Sequence, residues 1–324
     1  MIFLVQKTLI YAIPLLIVAM AGMFAERSGI INIALDGIMI FGSFVGALTV
    51  YLFQKGDILT GKPQLTYVIA MAVAALAGAI FSLLLSFSAI NLKADQTIGG
   101  TALNLLAPAI TLFIVKIFFM QDKLVMPKDI GYVLLNDDLG TVGKMFFDKA
   151  YISTYIVIVL FILLSIFLYK TKYGLRMRAC GEHPQAADSV GINVAKMRYL
   201  GTTISGALGG LGGYVYIATT AGGTAEGTVA GMGFLALAIM IFGNWKPVTI
   251  ALGSLLFGFL KCLSVIYTQL DVNGDGVALL AKIGLPMYFY NLIPYITVLI
   301  VLAFTSKKSR APKAEGIPYD KGQR

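Results

Sequence analysis

Charged residues are scarce in this chain. Asp, Glu, Lys and Arg make up 13% of its 324 residues, where a soluble globular chain carries about 25%. With 58% hydrophobic residues and a mean hydropathy of +0.84, an ordinary water-soluble composition is excluded. Histidine occurs once, at His183, and cysteine twice, at Cys180 in a basic stretch and Cys262 in an apolar one. No metal-ligand spacing and no disulfide framework follow from so few residues. A phosphate-binding P-loop, a nucleophile elbow and a zinc motif are all missing. The reading is therefore no catalytic residue, no metal and no cofactor bound by this chain. If ATP drives its work, another chain hydrolyses it.

Acidic residues are the scarcer sign, and the net charge is +9. Eight of those nine units sit in two segments. Residues 169–198 hold six Lys and Arg against Glu182 and Asp188, and the tail 306–324 holds six against Glu315 and Asp320. Both flank apolar runs. That is the positive-inside pattern of a membrane protein, and it argues against a nucleic-acid partner.

What is present is a succession of apolar runs near the length of about 20 residues that a bilayer-spanning helix needs. They cover residues 2–24, 30–53, 65–90, 97–120, 151–168, 199–221, 248–267 and 287–304, with a shorter run at 232–242. Alternating barrel strands are absent, and helices are the other way to satisfy a backbone in lipid. The expected fold is all-α: a polytopic transmembrane helical bundle of eight to ten membrane segments, with a broken or re-entrant helix near residues 25–40. Residues 1–305 read as one membrane domain, with a cytoplasmic loop at 170–198, an external loop at 121–150 and a basic cytoplasmic tail at 306–324. Eleven glycines between Gly201 and Gly233 predict close helix approach, and Trp245 before Lys246-Pro247 predicts an interfacial anchor.

Four polar residues inside apolar runs are candidates for a translocation path. Asn32 and Asp36 are four apart, so on one helical face, and Thr101 and Asn104 are one turn apart in the 97–120 run. A buried ionisable group is a functional hypothesis by default. The competing readings are a helix cap for Asp36 and packing glue for Asn104. Residues 271–276, DVNGDG, mimic the start of a calcium loop, but its twelfth position is Lys282 where a bidentate Glu belongs, so an external turn is expected.

The basic loop is patterned. Residues 181–184 read as a turn, and residues 185–190 as a short helix showing Ala186, Ala187 and Val190, closed by Gly191. Such a helix is a docking point for a cytoplasmic partner.

Four stretches together resemble one family: ERSGIINIALDGIMIFGSFVGA at 26–47, TIGGTALNLLAPAIT at 97–111, TKYGLRMRACGEHPQAADSVGINVAKMR at 171–198 and GMGFLALAIMIFGNWKPVTIALGSLLFGFL at 231–260. They are similar to the permease subunits of bacterial ABC importers that serve branched-chain amino acids, simple sugars and nucleosides, most of all to the shorter permease of nucleoside importers. In that family a G-E-x-P-x-A-A-x-x-x-G-I pattern forms the coupling helix that enters a groove on the ATPase. Here Gly181, Glu182, Pro184, Ala186, Ala187, Gly191 and Ile192 match it, with Asp188 inside it. Two positions depart. Ala34 and Asp36 stand where Gly and Glu are usual, which shortens the acid by one methylene, and His183 stands where Asn is common. The resemblance implies a multi-pass subunit of the bacterial plasma membrane with a cytoplasmic C-terminus. It implies four partners besides lipid: an ABC ATPase carrying ATP and Mg, a second homologous permease, a substrate-binding lipoprotein and a nucleoside or sugar substrate. A ribose-type permease is the alternative within the family, and an ion-coupled secondary transporter the alternative outside it.

Overall fold

The computed structural model describes residues 2–321, apart from residues 60, 127–129, 134–139, 141–142, 144–145, 149, 268–285 and 306–309. The calcium-loop mimic at 271–276 falls outside the described residues. The chain forms α1 (Ile2–Arg27), α2 (Leu35–Lys55), α3 (Pro63–Ser86) prolonged by a π-turn (Phe87–Asn91), α4 (Gln96–Phe119), α5 (Ile152–Lys170), α6 (Lys172–Glu182), α7 (Pro184–Ser189), α8 (Val194–Thr219), α9 (Met232–Phe242), α10 (Pro247–Ile266) and α11 (Met287–Thr305). Four two-residue strands accompany them. β1 (Leu124–Val125) pairs antiparallel with β4 (Thr224–Ala225), and β2 (Tyr132–Val133) with β3 (Ala150–Tyr151). Among the described residues, α1, α2, α3 with its π-turn, α4, α5 and α10 are the six helices long and apolar enough to cross a membrane.

The centre of the bundle is α8, which packs on α1, α2 and α3. It is as long as α1, but its glycines and hydroxyls make it less apolar than the six spans. Those small residues are what the centre requires. A Cβ on Gly42 of α2 would lie 2.3 Å from the Gly210 Cα, and one on Gly78 of α3 would lie 2.2 Å from the Gly206 carbonyl oxygen. The backbones of α2 and α3 thus touch α8 directly, and dispersion contacts between backbones replace a hydrophobic drive that lipid does not supply. In contrast, α4 and α5 present most of their surface outward, as helices facing lipid or another subunit do.

The structure redraws four expectations. The break expected near 25–40 is at residues 28–34, which are not helical, with Gly29 at φ +96°. The second helix therefore starts at Leu35, not residue 30, because residues 30–34 leave the helix to make tertiary hydrogen bonds. Of the turn expected over 181–184, Gly181 and Glu182 instead end α6, Pro184 opens α7 and only His183 separates the two helices. Trp245 is no interfacial anchor. It is buried, and its indole N–H donates to the Glu26 carboxylate at 2.5 Å.

The tail also differs from a free appendage. Residues 310–321 lie across the basic end of the bundle. The Arg310 amide donates to Asn244 Oδ1 at 2.8 Å, the Ala314 amide to the Gly181 carbonyl at 2.9 Å and the Gly316 amide to the Gly29 carbonyl at 3.3 Å. Buried Arg198 donates to the Ile317 carbonyl at 3.0 Å, and Lys93 pairs with Asp320 at 2.9 Å. One strap thereby joins the α9–α10 turn, α6, the break after α1, α8 and the α3–α4 turn.

Gly78→Val tests the backbone contact at the centre. Overpacking of this kind costs roughly 1–3 kcal/mol or more. The variant is expected to lose its monodisperse peak in detergent size-exclusion chromatography, and an unchanged profile with unchanged thermal stability would refute the packing argument.

Candidate functional site

Two helices begin inside the bundle. The first turn of α9 lies ten residues from Gly243 at the basic end, roughly 15 Å at 1.5 Å per residue. That is about half the 30 Å hydrocarbon thickness. The start of α2 lies at the same depth, because Asp36 of α2 meets Gly233 of α9. The amides of a helix's first turn have no partner within the helix, and lipid supplies none. Here side chains supply them. Asp36 Oδ1 accepts from the Gly233 amide at 2.9 Å, and the carboxylate also accepts from the Phe234 amide. Asn104 Oδ1 of α4 accepts from the Gly37 amide at 2.7 Å, while its Nδ2 donates to the Ile33 carbonyl at 2.9 Å.

The cap that Asp36 makes is therefore on the opposing helix, α9, and not on its own. A negative carboxylate at the positive end of α9 is also favourable electrostatically. Gly233 is needed for this approach, since a Cβ there would lie 2.5 Å from Asp36 Cα. Above the junction, Tyr295 of α11 donates to the Ala230 carbonyl at 3.2 Å.

The four polar residues do not share one environment. Asp36 and Asn104 are half-buried and meet within the α2–α4–α9 junction. Thr101 is exposed on α4, with its hydroxyl donating to the Thr97 carbonyl at 2.8 Å. Asn32 is fully buried, and its amide donates to Ser205 of α8 at 2.8 Å. It faces α8 and not open space. The arrangement offers hydrogen bonds to a passing polar solute at mid-depth. It holds no nucleophile with an adjacent base.

The segment at 181–192 is a compact knob on the basic end. Cys180, Ala187 and Val194 form its small apolar core, with Ile192 packed beside them. Ala187 is thus buried, which corrects the expectation that it is displayed. Gln185, Ala186, Ser189 and Val190 form the exposed face, and Asp188 is half-exposed. Burial pushes the Cys180 thiol up to about 11, so it is an inert packing group. Gly181 has no room for a side chain, because a Cβ would lie 2.4 Å from the Arg27 carbonyl oxygen. Glu182 pairs with Arg27 at 3.6 Å, and Arg27 in turn donates to the Trp245 carbonyl at 3.0 Å. The turn that holds Trp245 is strained, with Asn244 and Trp245 both at φ +53°.

Behind that turn sits a carboxyl pair that the sequence did not announce. The carboxyl groups of Glu26 and Glu315 lie side by side, and burial favours their neutral forms. Glu26 was visible only as a charge at the end of the first apolar run, and nothing in the sequence tied it to the tail.

These features define a multi-pass membrane protein with paired helix starts at mid-depth and a docked knob on one end, which is the organisation of a transport subunit. The chain belongs to the branched-chain amino acid transport system / permease component family, whose model matches residues 4–302. It is 41% identical to the guanosine ABC transporter permease protein NupQ of Bacillus subtilis, over 99% of this chain and 97% of that protein. It is 39% identical to the nucleoside ABC transporter permease protein NupC of Lactococcus lactis subsp. cremoris, again over 99% and 97%. A weaker likeness, 26% over 51% of this chain and 45% of the other, is to the nucleoside ABC transporter permease protein NupB of the same organism. No solved structure matches. This chain is an ABC transporter permease subunit.

Removing the cap should be costly. Asp36→Ala strands the α9 amides, at about 1–3 kcal/mol for a buried unsatisfied donor, and should lower the thermal unfolding temperature in detergent. Asp36→Asn keeps an acceptor and should recover most of the loss. Equal stability of both variants and the parent would show that the carboxylate caps nothing.

The carboxyl pair predicts a pH-dependent strap. Burial raises Glu315 from its ordinary 4.5 to about 7, against the opposing pull of the Glu26 hydrogen bond and the Arg27 charge. The docked strap thus holds a proton that a free strap releases. Docking is strongest below pH 4.5, weakens as pH rises through 4.5 to 7 and is level above that. Amide hydrogen exchange at residues 313–318, corrected for intrinsic rates, should show protection falling across this window, and Glu315→Gln should flatten the dependence. Protection that rises with pH would contradict the assignment.

Proposed function

We propose that this chain is one of two permease subunits of an ATP-driven nucleoside importer in the bacterial plasma membrane. The observation that carries the reading is its near full-length likeness to two permeases named for guanosine and nucleoside transport. The basic end, with the tail, faces the cytoplasm. Three further segments, α8, α9 and α11, complete the passage through the membrane alongside the six long spans, and α9 covers only half of it. Residues 1–305 act as a single permease domain, with loop 170–198 on the cytoplasmic side and loop 121–150 outside.

The exposed face of α7, with Ala186 at its centre, docks on a separate ATPase, which binds ATP and Mg. Gly181, Pro184, Ala187, Gly191 and Ile192 shape the knob and fix it to the bundle. Asp188 borders the docking face. Movement of the knob passes from Glu182 to Arg27, from Arg27 to Trp245 and along α9 to Gly233 and Asp36. The short, stiff α9 is held at both ends, so a tilt at the Trp245 turn moves the mid-membrane junction. The outward faces of α2 and α4 bearing Asp36, Thr101 and Asn104 line the route, which a second homologous permease closes. Asn32 supports that face from behind through Ser205. A substrate-binding lipoprotein delivers the nucleoside, so the route itself needs only a few passing hydrogen bonds. Asp36 is engaged as a cap, which removes the main support for ion coupling.

The test is uptake of labelled guanosine by cells expressing the whole gene neighbourhood. Ala186→Asp, on the exposed face, should lower ATP-driven uptake by about tenfold or more, equivalent to about 1.4 kcal/mol of coupling, with the chain still inserted at normal levels. A chain that purifies without an ATPase and moves solute in liposomes without ATP would sink the proposal.

A further inference from the structure

A groove of about 760 Å³ opens sideways at the basic end, between α5 and the turn that joins α9 to α10. Its floor is apolar: Phe161, Ile162 and Ile166 of α5 and Val248 of α10. Its rim carries four cations, Arg27, Lys170, Lys246 and Arg310. Among the described residues, Glu182 is the only acid on its wall, and it is taken up by Arg27. Among the described residues, the side chains of Lys170, Lys246 and Arg310 have no ion-pair partner. Three uncompensated cations around one opening repel one another, and an anion placed between them relieves that.

The depth of the groove narrows the choice of anion. Lys170 is the last residue of α5, and Pro247 is the first of α10. The rim therefore sits where these spans leave the hydrocarbon. Ile166 and Ile162 lie one and two turns deeper, roughly 6 and 12 Å at 1.5 Å per residue. The floor continues into the exposed apolar face of α5 at Val159 and Leu163. A soluble anion would match the rim and leave the floor open. A molecule with an anionic head and an apolar chain matches both, and basic pockets between spans recognise lipid headgroups by this means.

We propose that this groove binds one anionic phospholipid, with its phosphate held by Lys170, Lys246 and Arg310 and an acyl chain laid along Ile166 and Ile162. The bound headgroup ties together α5, the α9–α10 turn and the tail strap, which otherwise meet there as a ring of like charges. The site requires only that the chain spans a membrane and does not depend on what it transports.

Native mass spectrometry of the full chain in mild detergent tests this, with titrations of phosphatidylglycerol and of phosphatidylcholine bearing the same acyl chains. One phosphatidylglycerol should be retained with a preference of about tenfold or more. The triple variant Lys170→Gln, Lys246→Gln, Arg310→Gln should lose that preference. The triple variant Lys196→Gln, Lys313→Gln, Lys321→Gln, which removes as many charges outside the groove, should keep it. Ile166→Asn should weaken retention with every cation in place. Equal binding of the two lipids, or equal loss in the two triple variants, overturns the proposal. Deacylated glycerophosphoglycerol binding as well as the whole lipid also overturns it, because the floor then contributes nothing. Cross-linking of Val248→Cys to another polypeptide in native membranes would put a protein in the groove and has the same force.

Discussion

A helix that starts inside lipid must find partners for its first amides, and the rest of this structure is arranged around meeting that demand. Each unmet amide costs several kcal/mol where no water is present. The chain begins two helices, α2 and α9, at the same depth and lets them serve each other. The acid at the start of α2 accepts from the amides of α9, and an asparagine from α4 accepts from the amide of α2. Everything nearby is then constrained. Residue 233 must be glycine for the approach, and residues 30–34 must leave the helix so that Ile33 can offer its carbonyl to Asn104. The Ile31 amide also donates to Gln96 Oε1 at 2.7 Å, so the start of α4 is registered against the same break.

The other polar concentration lies at the basic end and is built differently. Here the groups are ionisable, and two of them are held by neighbours: Glu26 by the Trp245 indole beside Glu315, Arg27 by Glu182 and the Trp245 carbonyl. Glu182 is partly exposed, so its pairing with Arg27 adds little net stability, whereas removing Glu26 would strand the buried Trp245 indole N–H. The value of these contacts is in specifying one arrangement of α1, α6, the α9–α10 turn and the strap. The knob is thereby mounted rigidly, although the helix it presents is only six residues long.

Much of this was legible in the sequence, and the exceptions share a cause. Apolar run length located the six long spans, because bilayer thickness sets helix length. The glycine run foretold close helix approach, which the structure shows where Gly206 and Gly210 meet Gly42 and Gly78. Asp36 and Asn104 stood out as polar residues inside apolar runs, and both fall at the α2–α4–α9 junction, but nothing in the sequence said that Asp36 would cap α9. Ala187 and Ala186 look alike in sequence, and only tertiary packing buries one and exposes the other. Trp245 was misjudged for a similar reason. A tryptophan beside Lys-Pro at a span boundary reads as an interface residue, and its burial depends on a distant acid, Glu26. The strap was legible as charge but not as structure, since its hydrogen bonds are largely made by backbone atoms that carry no sequence signature.

At the end away from the basic loop, Leu124 and Val125 pair with Ala225 and Thr224, and the Met126 amide donates to the Gly223 carbonyl at 2.7 Å. This short ladder stitches the segment after α4 to the segment that runs back into the membrane toward Gly231. The far rim and the buried start of α9 are therefore not independent parts. A displacement of the rim is therefore felt at the buried start of α9 through one short length of chain, without passing through the long spans.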